Sequence, residues 1–202
     1  MKKHNLIYLL ILLFGINNNF YSQKRKINKQ ELSYNESLYN SINYRLIGPF
    51  RGGRAGTASG ISTDNSTYYM GTAGGGVWKS IDSGNTWKCI SDGYFGGSIG
   101  AVAVSESDPN IIYVGEGEQT LRGNVSSGKG AWKSTDAGET WSYIGLPKSE
   151  HISRIRIHPT NPEIVFVAVI GNLWKPNQER GLYKTINGGK TWKKILYVSN
   201  KA

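Results

Sequence analysis

A phrase of eight residues occurs three times in this chain and constrains its fold more than any other feature. Its copies are Ser80–Trp87, Ser134–Trp141 and Thr185–Trp192, and their tryptophans lie 54 and 51 residues apart. Self-similarity at a period near 50 residues is typical of one supersecondary unit repeated along the chain. The architecture must therefore be an array of similar units.

The residues around each phrase predict what one unit contains. Two short alternating apolar runs precede each copy, and turn residues such as Asp108-Pro109-Asn110 separate them, as in strands joined by tight turns. The first runs are 57–62, 100–105 and 153–158, and the second are 67–71, 111–115 and 164–169. With a third strand before the phrase and a fourth after it, each repeat forms a four-stranded antiparallel sheet. The prediction is an all-β fold, a partial β-propeller with blades at about 54–90, 98–145 and 152–196.

In Tyr44–Ile47 an aromatic residue is followed three residues later by isoleucine, as in the fourth strand of each repeat. No segments that could form the first three strands of a sheet precede it. We expect it to complete the outer edge of the last blade and so to close a ring. Three blades do not make a ring, because propellers have roughly four to eight. We therefore expect residues 44–202 to be the N-terminal part of a longer propeller, with the remaining blades as partners, or else the product of a truncated gene model. Closure by copies of the chain is the less favoured alternative.

The N-terminus has the pattern of a signal peptide. A basic start precedes the apolar stretch Leu6–Gly15, which is too short to span a bilayer. We predict a signal peptide over 1–22, a linker over 23–43, export, and no membrane span after cleavage. The net charge of +10 is concentrated here, since residues 1–29 hold six Lys/Arg and no acid, leaving 18 basic against 14 acidic residues beyond. Without a basic stripe in the blades, no nucleic-acid partner is predicted.

The repeated phrase itself is predicted to be structural. Its aspartate or asparagine accepts backbone N–H bonds across a hairpin turn, its glycine adopts positive φ, and its tryptophan packs on the sheet. Copies on successive blades diverge around a ring, so they do not gather into a catalytic or metal site. The residues concerned are Asp82, Gly84, Trp87, Asp136, Gly138, Trp141, Asn187, Gly189 and Trp192, with Gly188 as a further glycine of the third turn.

These phrases resemble the Asp-box, or BNR repeat, of bacterial sialidases, xyloglucan-active glycoside hydrolases and the sortilin extracellular domain. The stretch from Tyr44 to Ile195 is most similar to long secreted bacterial proteins of the sortilin-like, or glycosyl-hydrolase-like, BNR group. The segments that carry the likeness are 47–54, 74–79, 115–118 and 122–124. The resemblance implies a propeller fold, and it leaves the activity open.

Two enzymatic interpretations depend on particular residues. Sialidases have a Phe/Tyr-Arg-Ile-Pro motif, and Tyr44–Pro49 resembles it only with two extra residues between arginine and proline. The xyloglucan-active enzymes have Thr-Asp-x-Gly-Gly with a catalytic aspartate, whereas this chain has Thr72–Gly76 with Ala73 at that place. Alanine cannot act as acid, base or nucleophile, so this resemblance implies an incomplete catalytic set.

Candidate binding residues lie on the end of the propeller opposite the repeated phrases. Loops between second and third strands share that end with the connections between blades, and two of these loops carry insertions at 116–128 and 171–180. If the strand continues, Glu116 and Glu118 point to one side, and paired carboxylates can serve glycoside hydrolysis; a salt bridge with Arg122 is the simpler interpretation. The predicted ligand-binding residues are Arg51, Arg54, Glu116, Glu118, Arg122, Trp174 and Arg180.

The function expected from the sequence is a non-catalytic module that binds protein, peptide or glycan through this loop-rich end. The alternative is the first part of a glycoside hydrolase, similar to a xyloglucanase or a sialidase, with catalytic acids partly outside this chain. A scaffold for other domains is a third hypothesis. No catalytic residue, cofactor or metal site is predicted.

Overall fold

The computed structural model describes residues 35–39 and 53–201. Its contacts divide the chain into two units, Met1–Gly48 and Pro49–Ala202. In the first unit a 3-10 helix spans Glu36–Tyr39. In the second unit the described residues form twelve strands and no α-helix: β1 Ala55–Ile61, β2 Asp64–Thr72, β3 Val77–Ser80, β4 Lys88–Cys89, β5 Ile99–Val104, β6 Ile112–Glu116, β7 Ala131–Ser134, β8 Ser142–Gly145, β9 Ile152–Ile157, β10 Val165–Val169, β11 Gly181–Thr185 and β12 Lys193–Leu196.

The strands form three four-stranded antiparallel sheets in simple sequence order: β1 to β4, β5 to β8, and β9 to β12. The predicted all-β fold with three four-stranded sheets is confirmed. The first strand of each sheet is the innermost, because β1 packs beside β5 and β5 beside β9. The sheets therefore fan out from a shared side, as blades of a propeller do.

Side chains between neighbouring sheets make the core. Tyr69 and Val77 of the first sheet pack with Ile99, Val102 and Trp141 of the second, all of them buried. A second cluster joins the second and third sheets, and its buried members include Tyr113, Ile152, Ile155, Val167 and Tyr183. Each sheet thus buries one face against the next, so the stability of a blade depends on its neighbour.

The inner strands approach closely because small residues face them. A Cβ at Gly71 would lie 2.5 Å from the side chain of Ile99, and a Cβ at Gly115 would lie 2.3 Å from that of Ile152. Gly71 and Gly115 occupy the same place in β2 and β6, each opposite a residue of the innermost strand, Thr57 and Ala101. The repeat therefore includes a glycine that lets each blade pack closely against the innermost strand of the next blade.

Each repeated phrase forms the turn between the third and fourth strands of its sheet. In the first copy, Ser80 Oγ donates to Asp82 Oδ1 at 2.8 Å and accepts from the Gly84 N–H at 2.8 Å. The same carboxylate accepts from the Thr86 N–H at 2.8 Å and from the Thr86 hydroxyl at 2.6 Å. The side chains of the phrase thus satisfy the backbone of their own turn, an arrangement that Asp and Ser favour in turns.

The third copy makes the same turn with an amide. Asn187 Oδ1 accepts from the Thr185 hydroxyl at 2.9 Å and from the Thr191 N–H at 3.0 Å. Its Nδ2 then donates to the Thr191 hydroxyl at 2.9 Å, where the carboxylates of the other copies accept from the matching threonine. The turn therefore requires the side-chain oxygen and does not require the negative charge.

The tryptophan of a phrase reaches the preceding sheet. The indole N–H of Trp141 donates to the Ile90 carbonyl at 2.8 Å, and that of Trp192 donates to the Ile144 carbonyl at 2.7 Å. Trp87, with no described sheet before it, donates to the Gly84 carbonyl of its own turn at 3.0 Å. The phrase is therefore both a turn within one sheet and a contact between two sheets.

Several expectations fall outside the described residues. These are the signal peptide over 1–22, the closing strand Tyr44–Ile47 and the binding residue Arg51. The predicted linker 23–43 is described only over residues 35–39, where Tyr39 is exposed.

We predict that the glycines of the first two turns differ in their tolerance of alanine. Gly84 and Gly138 both have positive φ, 88° and 93°. A Cβ on Gly138 would lie 2.5 Å from Ile90 Cδ1, whereas Gly84 has only Trp87 nearby, at 3.7 Å. Positive φ costs an alanine about 1–2 kcal/mol, and overpacking adds about 1–3 kcal/mol at Gly138.

Urea unfolding of the two variants, Gly84→Ala and Gly138→Ala, measures the difference. The second variant is expected to lose more free energy of unfolding than the first. Equal losses would contradict the contact between the second turn and Ile90.

We predict that Asp136→Asn is tolerated because the third turn already uses an amide. Asp136→Ala removes the bonds that the carboxylate makes with Ser134 and Thr140 and is expected to lose about 1 kcal/mol of unfolding free energy, whereas Asp136→Asn loses about half of that or less. Hydrogen bonds, chiefly from Thr140, hold the pKa of Asp136 below its ordinary value of 3.8.

A carboxyl with a lowered pKa in the folded state stabilises the fold above pH 3.8 and loses that contribution as pH falls through the folded-state value. Asp136→Asn should therefore weaken the fall in stability as the pH drops below 3.8, which thermal unfolding at a series of acidic pH values measures. An unchanged acid dependence would show that the carboxylate does not make these bonds.

Candidate ligand-binding site

A cavity of about 250 Å³ lies at the end of the blades opposite the repeated turns. The start of β1, the loop after β2, the start of β5 and the loop after β6 enclose it. Its lining residues are Arg54, Ala55, Gly56, Ala73, Ile99, Glu118, Gln119, Thr120 and Arg122. The repeated turns are at the other end, where they contact the turns between first and second strands, as the Ala137 N–H does with the Asn110 carbonyl.

The charged centre of this cavity is one buried carboxylate between two arginines. The side chain of Glu118 is 6% exposed, and its Oε1 accepts from Arg54 Nη2 at 2.9 Å. Its Oε2 pairs with Arg122 Nη2. The Arg54 side chain is 53% exposed and that of Arg122 is 29% exposed, so each guanidinium keeps donors toward solvent. Two cations against one anion leave the cavity with an excess positive charge.

The loop that carries Glu118 is fixed to all three sheets. Arg54, at the start of the first sheet, contacts the Glu118 side chain. His151 Nδ1 donates to the Glu118 carbonyl at 2.9 Å from the start of the third sheet, and His151 is 3% exposed. Gln119 Nε2 donates to the Gly56 carbonyl. Because these contacts join separate blades, the geometry of the cavity depends on how the blades are stacked.

Glu116 and Glu118 do not form a pair. β6 ends at Glu116, and Gly117 turns the chain with φ 88°, so the condition that would have placed both carboxylates on one side is not met. Glu116 instead accepts from the Trp132 indole at 2.7 Å and from the Lys129 N–H at 2.6 Å. Its carboxylate holds its own loop, and the described structure gives the two acids no common partner.

The predicted residues of the third sheet are separated in the same way. Arg180 donates to three backbone carbonyls, those of Ile170, Asn172 and Lys201, at 2.6–2.7 Å. Its guanidinium is therefore used to hold the loop after β10. Trp174, in that loop, is 69% exposed. The Trp174 side chain is thus open to solvent, while Arg180 supports the loop that carries it.

Ala73 lies in the wall of the cavity, and its N–H donates to the Arg54 carbonyl at 2.8 Å. This is the position where the likeness to xyloglucan-active enzymes implies an aspartate. Glu118 is the one carboxylate among the described lining residues, and both of its oxygens are paired with arginine. The cavity therefore offers cationic and polar contacts but no free acid.

Three residues that shape the site were not among the predicted ones, Gln119, His151 and Asn172; Asn124 was noted only as part of the inserted loop. Gln119, Asn124, His151 and Asn172 all make side-chain hydrogen bonds that hold loops at this end, and Asn172 donates to Glu150 at 2.7 Å. Only the position of His151 gave a signal: it stands directly before an innermost strand, as Arg54 does.

Two further observations concern the described residues. They contain no group of three or more His, Cys, Asp or Glu that could hold a metal ion. No helix among them has the length and apolar character needed to cross a bilayer.

The chain is similar to several known proteins. It is 28% identical to a xyloglucanase of Hypocrea jecorina (strain QM6a) over 162 residues, which cover 71% of this chain and 18% of that enzyme. It spans about a fifth of the length of the xyloglucanases it matches. The solved structure of an ancestral GH74 enzyme aligns with a TM-score of 0.55 at 18% identity, over 70% of this chain and 18% of that one.

The fold likeness extends to a protein of another kind. YCF48 from Cyanidioschyzon merolae aligns with a TM-score of 0.51 at 19% identity, over 73% of this chain and 41% of that one. Identities this low support a shared propeller fold and nothing finer. The profile of the Sortilin-Vps10 family, described as "Sortilin, neurotensin receptor 3", matches residues 75–201, which is more than half of the chain. The chain therefore belongs to the Sortilin-Vps10 family.

Proposed function

We propose that this chain is part of an exported propeller protein that binds an extracellular protein, peptide or glycan through its loop-bearing end. The observation that carries the proposal is the cavity in which Arg54 and Arg122 flank the buried Glu118. Donors that remain on two partly exposed guanidiniums can bind oxygen atoms of a ligand. The signal-peptide pattern of residues 1–22 supports export.

The residues of this end fall into two groups under the proposal. Arg54 and Trp174, which are exposed, and Arg122, which is half-buried, contact the ligand. Glu116, Glu118 and Arg180 hold the loops in place through the bonds described above. Arg51, outside the described residues, remains a proposed contact. The residues of the three repeated turns, Ser80–Trp87, Ser134–Trp141 and Thr185–Trp192, serve the fold and take no part in binding.

Binding is favoured over catalysis by the chemistry of the cavity wall. Hydrolysis of a glycosidic bond uses two carboxyl groups at a defined separation. Here Ala73 replaces one candidate acid, Glu118 is paired with two arginines, and Glu116 is bonded to Trp132 and Lys129. None of these groups is placed to donate or accept a proton at a bound sugar.

The second candidate function is a glycoside hydrolase with acids partly outside this chain. It is favoured by the likeness to xyloglucanases, of which the Hypocrea jecorina enzyme is one. Under this alternative the blades described here form one wall of a substrate cleft, and the longest natural polypeptide that contains the chain hydrolyses xyloglucan.

The binding proposal predicts that the two arginines determine affinity. A glycan and peptide array probed with the longest natural polypeptide should identify a ligand, and Arg54→Ala with Arg122→Ala should then weaken its binding about tenfold or more, measured by titration calorimetry. Lys190→Ala, which removes an exposed cation at the opposite end, is the control and should leave affinity unchanged. If the natural protein, the arginine variant and the Lys190→Ala control bound the ligand with equal affinity, a ligand site at this end would be refuted.

A separate measurement decides between binding and catalysis. We expect no hydrolysis of xyloglucan or aryl glycosides that depends on Glu116 or Glu118, because both carboxylates are engaged in structural bonds. Hydrolysis that is lost in Glu116→Gln or Glu118→Gln, with thermal stability retained, would establish the enzymatic alternative.

A further inference from the structure

The loop-bearing end, where the cavity lies, uses its acidic and its basic residues differently. Each acidic residue of its described loops accepts a hydrogen bond from a donor of the protein itself; these residues are Asp92, Glu116, Glu118, Glu150 and Glu179. The Asn172 amide, for example, donates to Glu150 at 2.7 Å, and the Tyr183 hydroxyl donates to Glu179 at 3.0 Å. The negative charge of this end is therefore engaged within the protein.

The positive charge of the same loops stays open to solvent. Lys129, Lys148 and Lys175 are exposed and form no ion pair with a described residue. Arg54 and Arg122 each give one terminal nitrogen to Glu118, and their other terminal nitrogens have no acceptor among the described residues. A cationic surface over engaged acids attracts an anionic ligand.

Glu118 shows which anion suits the two arginines. Its single carboxylate bridges them, with Oε1 on Arg54 and Oε2 on Arg122. This bridge neutralises one of the two positive charges and leaves further guanidinium N–H donors. Guanidinium groups bind carboxylates through directed, charge-assisted hydrogen bonds, so a second carboxylate supplied by a ligand can bind the remaining donors.

The walls of the cavity favour a sugar over a peptide. Gln119 and Thr120 contribute polar side chains, and the apolar side chains are only those of Ala55, Ala73 and Ile99. Peptides and proteins are bound chiefly through large apolar or aromatic side chains that fill desolvated pockets. A cavity of about 250 Å³ with this lining offers such a side chain little apolar contact. Its polar groups suit the hydroxyl groups of a sugar instead.

An aromatic surface is held in the same network of loops. The Trp174 side chain is 69% exposed, and its N–H donates to Asn172 Oδ1 at 2.9 Å. Asn172 donates in turn to Glu150, whose carbonyl accepts from the Gly128 N–H at 2.6 Å in the loop that carries Glu118. The exposed indole is therefore fixed relative to the loop of the cavity, and its apolar ring face can stack on a sugar ring.

We propose that the ligand of this end is an acidic polysaccharide, a chain of uronic acid residues. One carboxylate of the chain binds Arg54 and Arg122 beside Glu118, and the indole of Trp174 stacks on another sugar ring of the chain. The exposed lysines add attraction to the other carboxylates. This inference rests on the proposed binding function and names the class of its ligand.

Calorimetric titration of the longest natural polypeptide with matched oligosaccharides tests the ligand class. The probes are oligomers of galacturonate, mannuronate and glucuronate, each also supplied with its carboxyl groups methyl-esterified. At least one uronate is expected to bind about tenfold or more tightly than its own ester, because the ester keeps the sugar and loses the charge. The natural protein is used throughout, so this comparison does not depend on the folding of a variant.

Variants then assign the preference to residues. Arg54→Gln with Arg122→Gln should reduce the ratio of the two affinities, uronate to ester, to near one. Trp174→Ala should weaken uronate and ester by about the same factor, since stacking does not depend on the carboxylate. Lys190→Ala at the opposite end is the control and should change neither affinity, and thermal unfolding checks that each variant is folded.

The outcomes separate this inference from the proposed function. If the two arginines bound a peptide or a neutral glycan and no uronate were preferred to its ester, the acidic polysaccharide would be refuted and the binding function would stand. Tighter binding of a sulfated glycan of equal charge would also overturn the assignment to carboxylates. If no ligand of any class depended on the arginines, both proposals would fall.

Discussion

The contact between the turn of one blade and the fourth strand of the blade before it underlies the rest of this structure. Trp141 and Trp192 each donate an indole N–H across the boundary to a backbone carbonyl, and a glycine with positive φ lets the turn lie flat on an isoleucine. Trp141 is buried and Trp192 is partly buried against the core, so leaving either indole unpaired is unfavourable. Each blade therefore fixes the position of its neighbour.

The polar part of the repeated phrase serves this contact. The Ser80 hydroxyl and the Asp82 carboxylate bind the backbone of their own turn and keep the chain in the shape that projects the following tryptophan. That the third turn keeps its shape with Asn187 shows which atom matters: an oxygen placed two residues after the hydroxyl. The recurring carboxylates are thus explained without catalysis or metal binding.

Because the turns occupy one end of the blades, the loops of the other end are free to differ. The first sheet contributes Arg54, the second contributes Glu118 and Arg122, and the third contributes His151 beneath them. Stacking of the blades brings these groups together, so the cavity depends on the same contacts that hold the sheets. The loops around the cavity can therefore change by substitution without loss of the fold.

The repeat made most of the fold predictable from the sequence, whereas the site was only partly so. The spacing of Trp87, Trp141 and Trp192 implied three equal sheets, and the strands lie where the apolar runs are. The pairing of Arg54 with Glu118 across 64 residues was not predictable, because it depends on how the sheets fan out. The bond from each indole to the preceding sheet could not be predicted for the same reason. The end of β6 was predictable, since Gly117, a residue that readily adopts positive φ, follows Glu116 directly.

Hydrogen exchange of the tryptophan indole N–H groups, followed by NMR in the longest natural polypeptide, tests the contact between blades most directly. The contact predicts slow exchange at Trp141 and Trp192, whose indoles donate to the preceding sheet, and fast exchange at Trp174, which is 69% exposed. Exchange at Trp141 or Trp192 as fast as at Trp174 would contradict it.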